Sequence, residues 1–139
     1  MLNKTRALGS ELVNMLLDSG MCKVNTSSND QSSTLYSACS TGNTKLVSRL
    51  LRLGAREVGY PSLPVACEGE HMDVVKLLLR YGSDPNIRIP SFDSDENRNA
   101  FKSDTPLCIA ANSVHAPIVK MLIQHGASAN DKDCFDRTP

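Results

Sequence analysis

Four stretches of this 139-residue chain share one order of apolar and polar positions. They are Glu11–Gly20, Lys45–Gly54, Asp73–Gly82 and Pro117–Gly126. After its first residue each has two apolar residues, one polar, three mostly apolar, two variable, then Gly. Apolar residues at i, i+1, i+4 and i+5 make a single stripe along a helix. The closing Gly falls where a helix ends and the backbone must turn left-handed. The pattern therefore predicts four short amphipathic helices, each closed by a glycine.

A second motif precedes three of them: Leu35-Tyr-Ser-Ala-Cys39, Leu63-Pro-Val-Ala-Cys67 and Leu107-Cys-Ile-Ala-Ala111. In each, the small pair lies eight residues before the apolar pair of the next helix. Eight residues hold the end of one helix, a tight turn and the start of another. Small residues let two antiparallel helices approach closely. The unit is helix, turn, helix, then an exit closed by Gly, and repetition of such a unit builds a solenoid.

These motifs resemble the ankyrin repeat. The residues that carry the resemblance are Thr105-Pro106-Leu107, Ala110-Ala111, Val74 to Leu79 and Gly82-Ser83-Asp84-Pro85-Asn86, with Gly126-Ala127-Ser128-Ala129-Asn130 repeating the exit. The resemblance implies an all-α solenoid of stacked helix-turn-helix units with short or irregular β-hairpin or loop fingers. It divides the chain into a partial repeat over 1–26, a repeat over 27–58, a shortened-finger repeat over 59–87 and an inserted loop over 88–99. A further repeat covers 100–132, and 133–139 begins a truncated one.

The departures are informative. The closing glycines Gly20, Gly54, Gly82 and Gly126 are spaced by 34, 28 and 44 residues, against a family period of about 33. The segment from Gly54 to Pro61 is thus too short for a full hairpin finger. The surplus within 87–104 includes Asp93-Ser-Asp-Glu-Asn-Arg98, the composition of a solvated loop. The turn glycine, present as Gly42, becomes Glu70 and Val114 in the later units. A β-branched residue at a left-handed position predicts a rearranged turn there. Lys4 and Thr5 occupy the place of a small pair, and Thr138-Pro139 follows Thr105-Pro106 by 33 residues. Both ends read as cuts through a longer array.

Composition narrows the function. Lys plus Arg and Asp plus Glu are 15 each, which argues against a generally basic nucleic-acid or membrane binder. Aromatics are 4% with no Trp, too few for base-stacking platforms. Apolar runs such as Val74–Leu79 are far shorter than a membrane span of about 18 residues, and no secretory leader opens the chain. Five cysteines without a CxxC pair suit reduced thiols in cytoplasm or nucleus. Asn3-Lys4-Thr5 and Asn25-Thr26-Ser27 are then chance sequons.

Candidate chemistry reduces mostly to structure. His71 and His115 stand where the family keeps a histidine that ties adjacent loops. His125 precedes an exit Gly and suits a helix C-terminus. Cys39 and Cys67 act as small hydrophobes within the first helix of their pairs, and Cys108 takes the place of the motif histidine. No GxSxG, P-loop, HExxH or dinucleotide fingerprint occurs. Asp93, Asp95 and Glu96 lie in a loop, without the rigid frame that acid–base catalysis needs or the spacing of a calcium loop. The expectation is no catalytic residue, no metal site, no cofactor and no small-molecule substrate.

What remains is the surface. The resemblance implies a concave groove formed by the fingers and the outer face of each first helix, binding another protein or peptide. In the first full unit it comprises Asn29, Asp30, Ser32, Tyr36, Ser40 and Thr41. The second adds Tyr60 and Glu68, and the third Phe101, Lys102, Asp104, Asn112 and Ser113. Two narrower roles fit the same surface: substrate recognition within a SOCS-box ubiquitin-ligase adaptor, or regulation of a larger enzyme such as a kinase. Asn86 is also the candidate target of an asparaginyl hydroxylase of the hypoxia-inducible-factor type. Leu78 lies eight residues and Asp84 two residues before it. Asn130 has Leu122 but lacks the acid and ranks second.

Overall fold

A computed structural model describes residues 11–12, 14–16, 18–19, 34–56, 61–88, 105–131 and 138–139. Among them all regular structure is helical, with no strand. Three helix pairs follow one another: α1 (Thr34–Ser40) with α2 (Thr44–Arg52), α3 (Ser62–Glu68) with α4 (Met72–Arg80), and α5 (Pro106–Asn112) with α6 (Ala116–Gln124). Glu11, Leu12, Asn14, Met15, Leu16 and Asp18 are helical as well. Helices pack within each pair, α1 stacks on α3 and α3 on α5, and α2, α4 and α6 stack alongside as a second row.

The apolar stripe becomes the core as the period requires. Leu46, Val47 and Leu50 of α2, Val74, Val75, Leu78 and Leu79 of α4, and Ile118 and Leu122 of α6 are buried. They meet Leu35, Ala38, Cys39, Leu63, Ala66, Cys67, Leu107 and Ala110 from the first row. The small pairs let this happen: Ala66 and Cys67 have no exposed surface, which lets adjacent backbones close on each other.

Every helix end described is closed in the same way. At Gly54, Gly82 and Gly126, φ is 83°, 88° and 91°. Paired bonds such as Gly54 N to Leu51 O and Ala55 N to Leu50 O cap the last turn, the left-handed closure foreseen from the glycines. The turn between paired helices repeats this geometry. Gly42 N donates to Cys39 O and Asn43 N to Ala38 O. Val114 N to Ala111 O and His115 N to Ala110 O form the equivalent pair.

This corrects one expectation. The turn at Val114 is not rearranged. Val114 adopts φ 56°, close to the 57° of Glu70 and the 69° of Gly42. Stacking of the helices on either side fixes the turn and overrides the local preference.

Most of the expected insertion at 88–99 and the finger ahead of Pro61 lie outside the described residues. On their near side Asn86 joins two units. Its Nδ2 donates to Gly126 O at 3.1 Å, and its Oδ1 accepts from Ser128 N at 2.7 Å. Arg88 and Asp131 add an ion pair at 3.8 Å between the same exit segments.

Candidate partner-binding face

Helices α1, α3 and α5 present their C-terminal ends side by side. Counted from the small pairs, Ser40, Glu68 and Asn112 hold one register position in three successive units, and all three are exposed. Thr41 and Ser113 follow them in the next position and are also exposed. The repeat thus brings five of the expected binding residues into two parallel rows. Tyr36 is half-buried near the start of α1. Asn29, Asp30, Ser32, Tyr60, Phe101, Lys102 and Asp104 lie outside the described residues.

The rows stand on a rigid frame. Ser40 Oγ donates to Ser37 O at 3.0 Å, and Thr41 Oγ1 to Ala38 O at 3.1 Å. His71 ties the first two units: its Nε2 lies 3.2 Å from Ser40 O, and since a carbonyl only accepts, that nitrogen carries the proton. His115 instead faces Glu70, Nδ1 to Oε2 at 3.7 Å. His125 Nδ1 donates to Met121 O at 2.8 Å and so caps the end of α6. All three histidines have roles between or at the ends of helices, as their positions suggested.

The thiols read the same way. Cys39 and Cys67 are fully buried. Burial pushes the Cys67 thiol up to about 12, so it stays protonated and unreactive at neutral pH. Cys108 N is bonded by the Thr105 hydroxyl that caps α5, and its Sγ lies 3.8 Å from Asp131 O. Cys22 and Cys134 lie outside the described residues. Among the described residues no three His, Cys, Asp or Glu side chains converge as a metal site would require. None of the described helices is long and apolar enough to cross a membrane.

The candidate hydroxylation positions differ in setting. Asn86 is half-buried and both ends of its amide are engaged across the stack. Asn130 is exposed.

Residues 5–89 match the family model for ankyrin repeats in three copies, and residues 102–134 match that for a single ankyrin repeat. The chain belongs to the ankyrin-repeat family. A putative ankyrin repeat protein of Rickettsia bellii (strain RML369-C) is 34% identical over 88 residues, covering 53% of this chain and 36% of the relative. The chain therefore spans about a third of the length of that curated relative. Ankyrin repeats generally serve as protein-interaction modules and are typically non-catalytic.

Two features of this ankyrin stack have no clear mark in the sequence pattern. One is the cross-unit role of Asn86, visible in sequence only as an Asn at the exit. The other is an apolar groove on the last helix pair, lined by Ala111, Val114, Val119, Lys120 and Ile123 among others. Val119 and Ile123 do belong to the repeated apolar stripe, yet no later helix follows them in the described residues.

Proposed function

We propose that this chain is a protein-interaction module that binds a protein or peptide along the row Ser40, Glu68 and Asn112, extended by Thr41, Ser113 and the finger positions. The supporting observation is that one register position is exposed and polar in three successive units while the residues beside it, Ala38, Cys39, Ala66, Cys67 and Ala110, are buried. A row backed by a packed core is preorganised, so little ordering entropy opposes binding. The assignment of binding to this face draws on the family as well as on geometry. Reduced, buried thiols fit a cytoplasmic or nuclear setting. Roles as a SOCS-box adaptor's substrate reader or an enzyme's regulatory segment would use the same row.

The test is a peptide-display selection against the whole chain. Binders should lose at least tenfold in affinity with Glu68→Arg or Asn112→Arg. They should tolerate Lys76→Glu, on an exposed position of α4 in the second row. Selected peptides that respond only to Lys76→Glu would place binding on the opposite side and sink this reading.

A further inference from the structure

Charge is divided between the two rows of the stack. Helices α1, α3 and α5 of the first row contain no Lys or Arg, and Glu68 is their single charged side chain. The second row carries Lys45, Arg49 and Arg52 in α2, Lys76 and Arg80 in α4 and Lys120 in α6, against Asp73 alone. The turns that join the rows add Glu70, His71 and His115. The row Ser40, Glu68 and Asn112 thus lies on the acidic side of a chain whose formal charge is zero.

A hollow opens beside that row at the junction of the first two units. It has a volume of about 280 Å³ and is lined by Gly42, Thr44, Glu70, His71, Met72 and Asp73 among others. Gly42 brings no side chain to it. At the next junction Glu70 holds the register of Gly42 and its carboxylate reaches His115 at 3.7 Å, so a side chain stands where Gly42 leaves room. The hollow is continuous with the row, because His71 Nε2 reaches the Ser40 carbonyl at 3.2 Å and Glu70 follows Glu68 by two residues. Small-molecule sites run from roughly 300 to 1,000 Å³. This smaller space suits one long side chain of a partner.

The polar side chains around the hollow accept hydrogen bonds. Glu70 and Asp73 bring carboxylates. His71 Nε2 gives its proton to Ser40 O, which leaves Nδ1, on the Gly42 side, as an acceptor. Thr44 Oγ1 donates to Gly42 O at 3.5 Å and keeps its lone pairs. None of the described Lys or Arg residues lines the space. The first turns of α2 and α4 oppose this, each worth about half a positive charge. Asn43 Oδ1 already accepts from Leu46 N in α2, and Asp73 stands in the first turn of α4. Two full carboxylates therefore outweigh two partly neutralised helix ends. A hollow lined by acceptors fits a side chain that only donates, and a guanidinium donates on several sides at once.

We propose that the partner of this row is a basic peptide segment, with the guanidinium of one Arg bonded in the hollow to Glu70 and Asp73 and a neighbouring basic residue paired with Glu68. Met72, exposed beside the hollow, packs on the aliphatic stem of that Arg. The inference rests on Ser40, Glu68 and Asn112 being the binding row and adds the chemistry of what binds there. Water screens exposed carboxylates, so charge chiefly selects and orients the segment, and the hollow fixes its register.

Peptides selected by display on the whole chain test this. Those weakened by Glu68→Arg or Asn112→Arg should share one Arg. They should lose about tenfold in affinity with Glu70→Gln and Asp73→Asn combined. Both residues are exposed, and the circular dichroism spectrum should not change. Replacing the peptide's Arg by Met should cost the same tenfold on the parent chain and almost nothing on the double variant, the non-additivity of groups in contact. Should the double variant misfold, each single substitution serves in the same cycle. Peptides that respond to Glu68→Arg and Asn112→Arg but share no Arg overturn the basic anchor and leave the binding row standing. So do peptides whose loss on Arg→Met persists in the Glu70→Gln, Asp73→Asn chain. Peptides that respond only to Lys76→Glu overturn the row and this inference with it.

Discussion

The His71 ring bridges two units: Nε2 lies 3.2 Å from the Ser40 carbonyl, while the ring fills space above Gly42 and Gly69. A Cβ at Gly42 would come within 2.5 Å of His71 Nδ1, and one at Gly69 within 2.6 Å of Nε2. Gly42 therefore answers two demands, a left-handed φ of 69° and room for a neighbour's ring. Gly54, at φ 83°, faces only the first, with nothing within 4 Å of a Cβ. Gly54→Ala should cost about 1–2 kcal/mol through φ strain alone. Gly42→Ala should add about 1–3 kcal/mol of overpacking. Urea unfolding checks both. In a His71→Ala background the extra cost at Gly42 should vanish, the non-additivity expected of touching residues.

Val114 carries strain without that second demand. Its φ is 56°, costly for a β-branched residue, and its side chain is 87% exposed, so it contributes little packing. Val114→Gly should raise stability by about 1 kcal/mol and the melting temperature by a few degrees. An unchanged or lower midpoint would mean that backbone strain at this turn is small.

The helix pairs were legible because their signal repeats. The apolar stripe, the small pairs and the closing glycines each recur at fixed offsets, and each is needed by the packing. Turn shape at Val114 was misjudged because a single residue's preference is a kilocalorie-scale effect, overridden once two stacked helices fix its ends. The exposed row proposed for binding, Ser40, Glu68 and Asn112, was legible as a register, since the same count from the small pair finds each. The Asn86 bridge was not legible, because Gly126 and Ser128 lie about 40 residues away and no local pattern encodes their approach.

Cys67 gives a dependence on pH. Its thiol is pushed up from 9.0 to about 12 by burial. The folded chain favours the neutral form more strongly than the unfolded chain does. The stability this confers is complete below pH 9 and falls as pH rises above it, by at most about 1.4 kcal/mol per pH unit. Cys67→Ala should flatten the loss between pH 9 and pH 11 measured by denaturant titration. Native Cys39 and Cys67 should also resist iodoacetamide at pH 8 and react once urea unfolds the chain. Rapid native labelling of Cys67 would contradict its burial.

Asn86 holds the exit of one unit to that of the next through both ends of its amide, while its own N–H is held by Asp84 Oδ1 at 2.9 Å. Asn86→Ala strands Ser128 N and Gly126 O and should cost about 1–3 kcal/mol. Asn86→Asp keeps an acceptor for Ser128 but turns a second oxygen toward the Gly126 carbonyl, so it should cost a similar amount. Amide exchange at Ser128 should quicken in both. The same bridge bears on Asn86 as a candidate hydroxylation target, because an enzyme acting on the Asn86 β-carbon must draw the side chain out of two hydrogen bonds. Loosening the stack should help it. Ala66 has no exposed surface, and Ala66→Leu should destabilise by about 1–3 kcal/mol. With the asparaginyl hydroxylase, iron and 2-oxoglutarate, peptide mass spectrometry should find one added oxygen on Asn86 several times faster in Ala66→Leu than in the parent chain. Equal rates would show that release of the amide does not limit the reaction. No added oxygen on Asn86 in either chain, where a control ankyrin protein is modified, would remove it as a target.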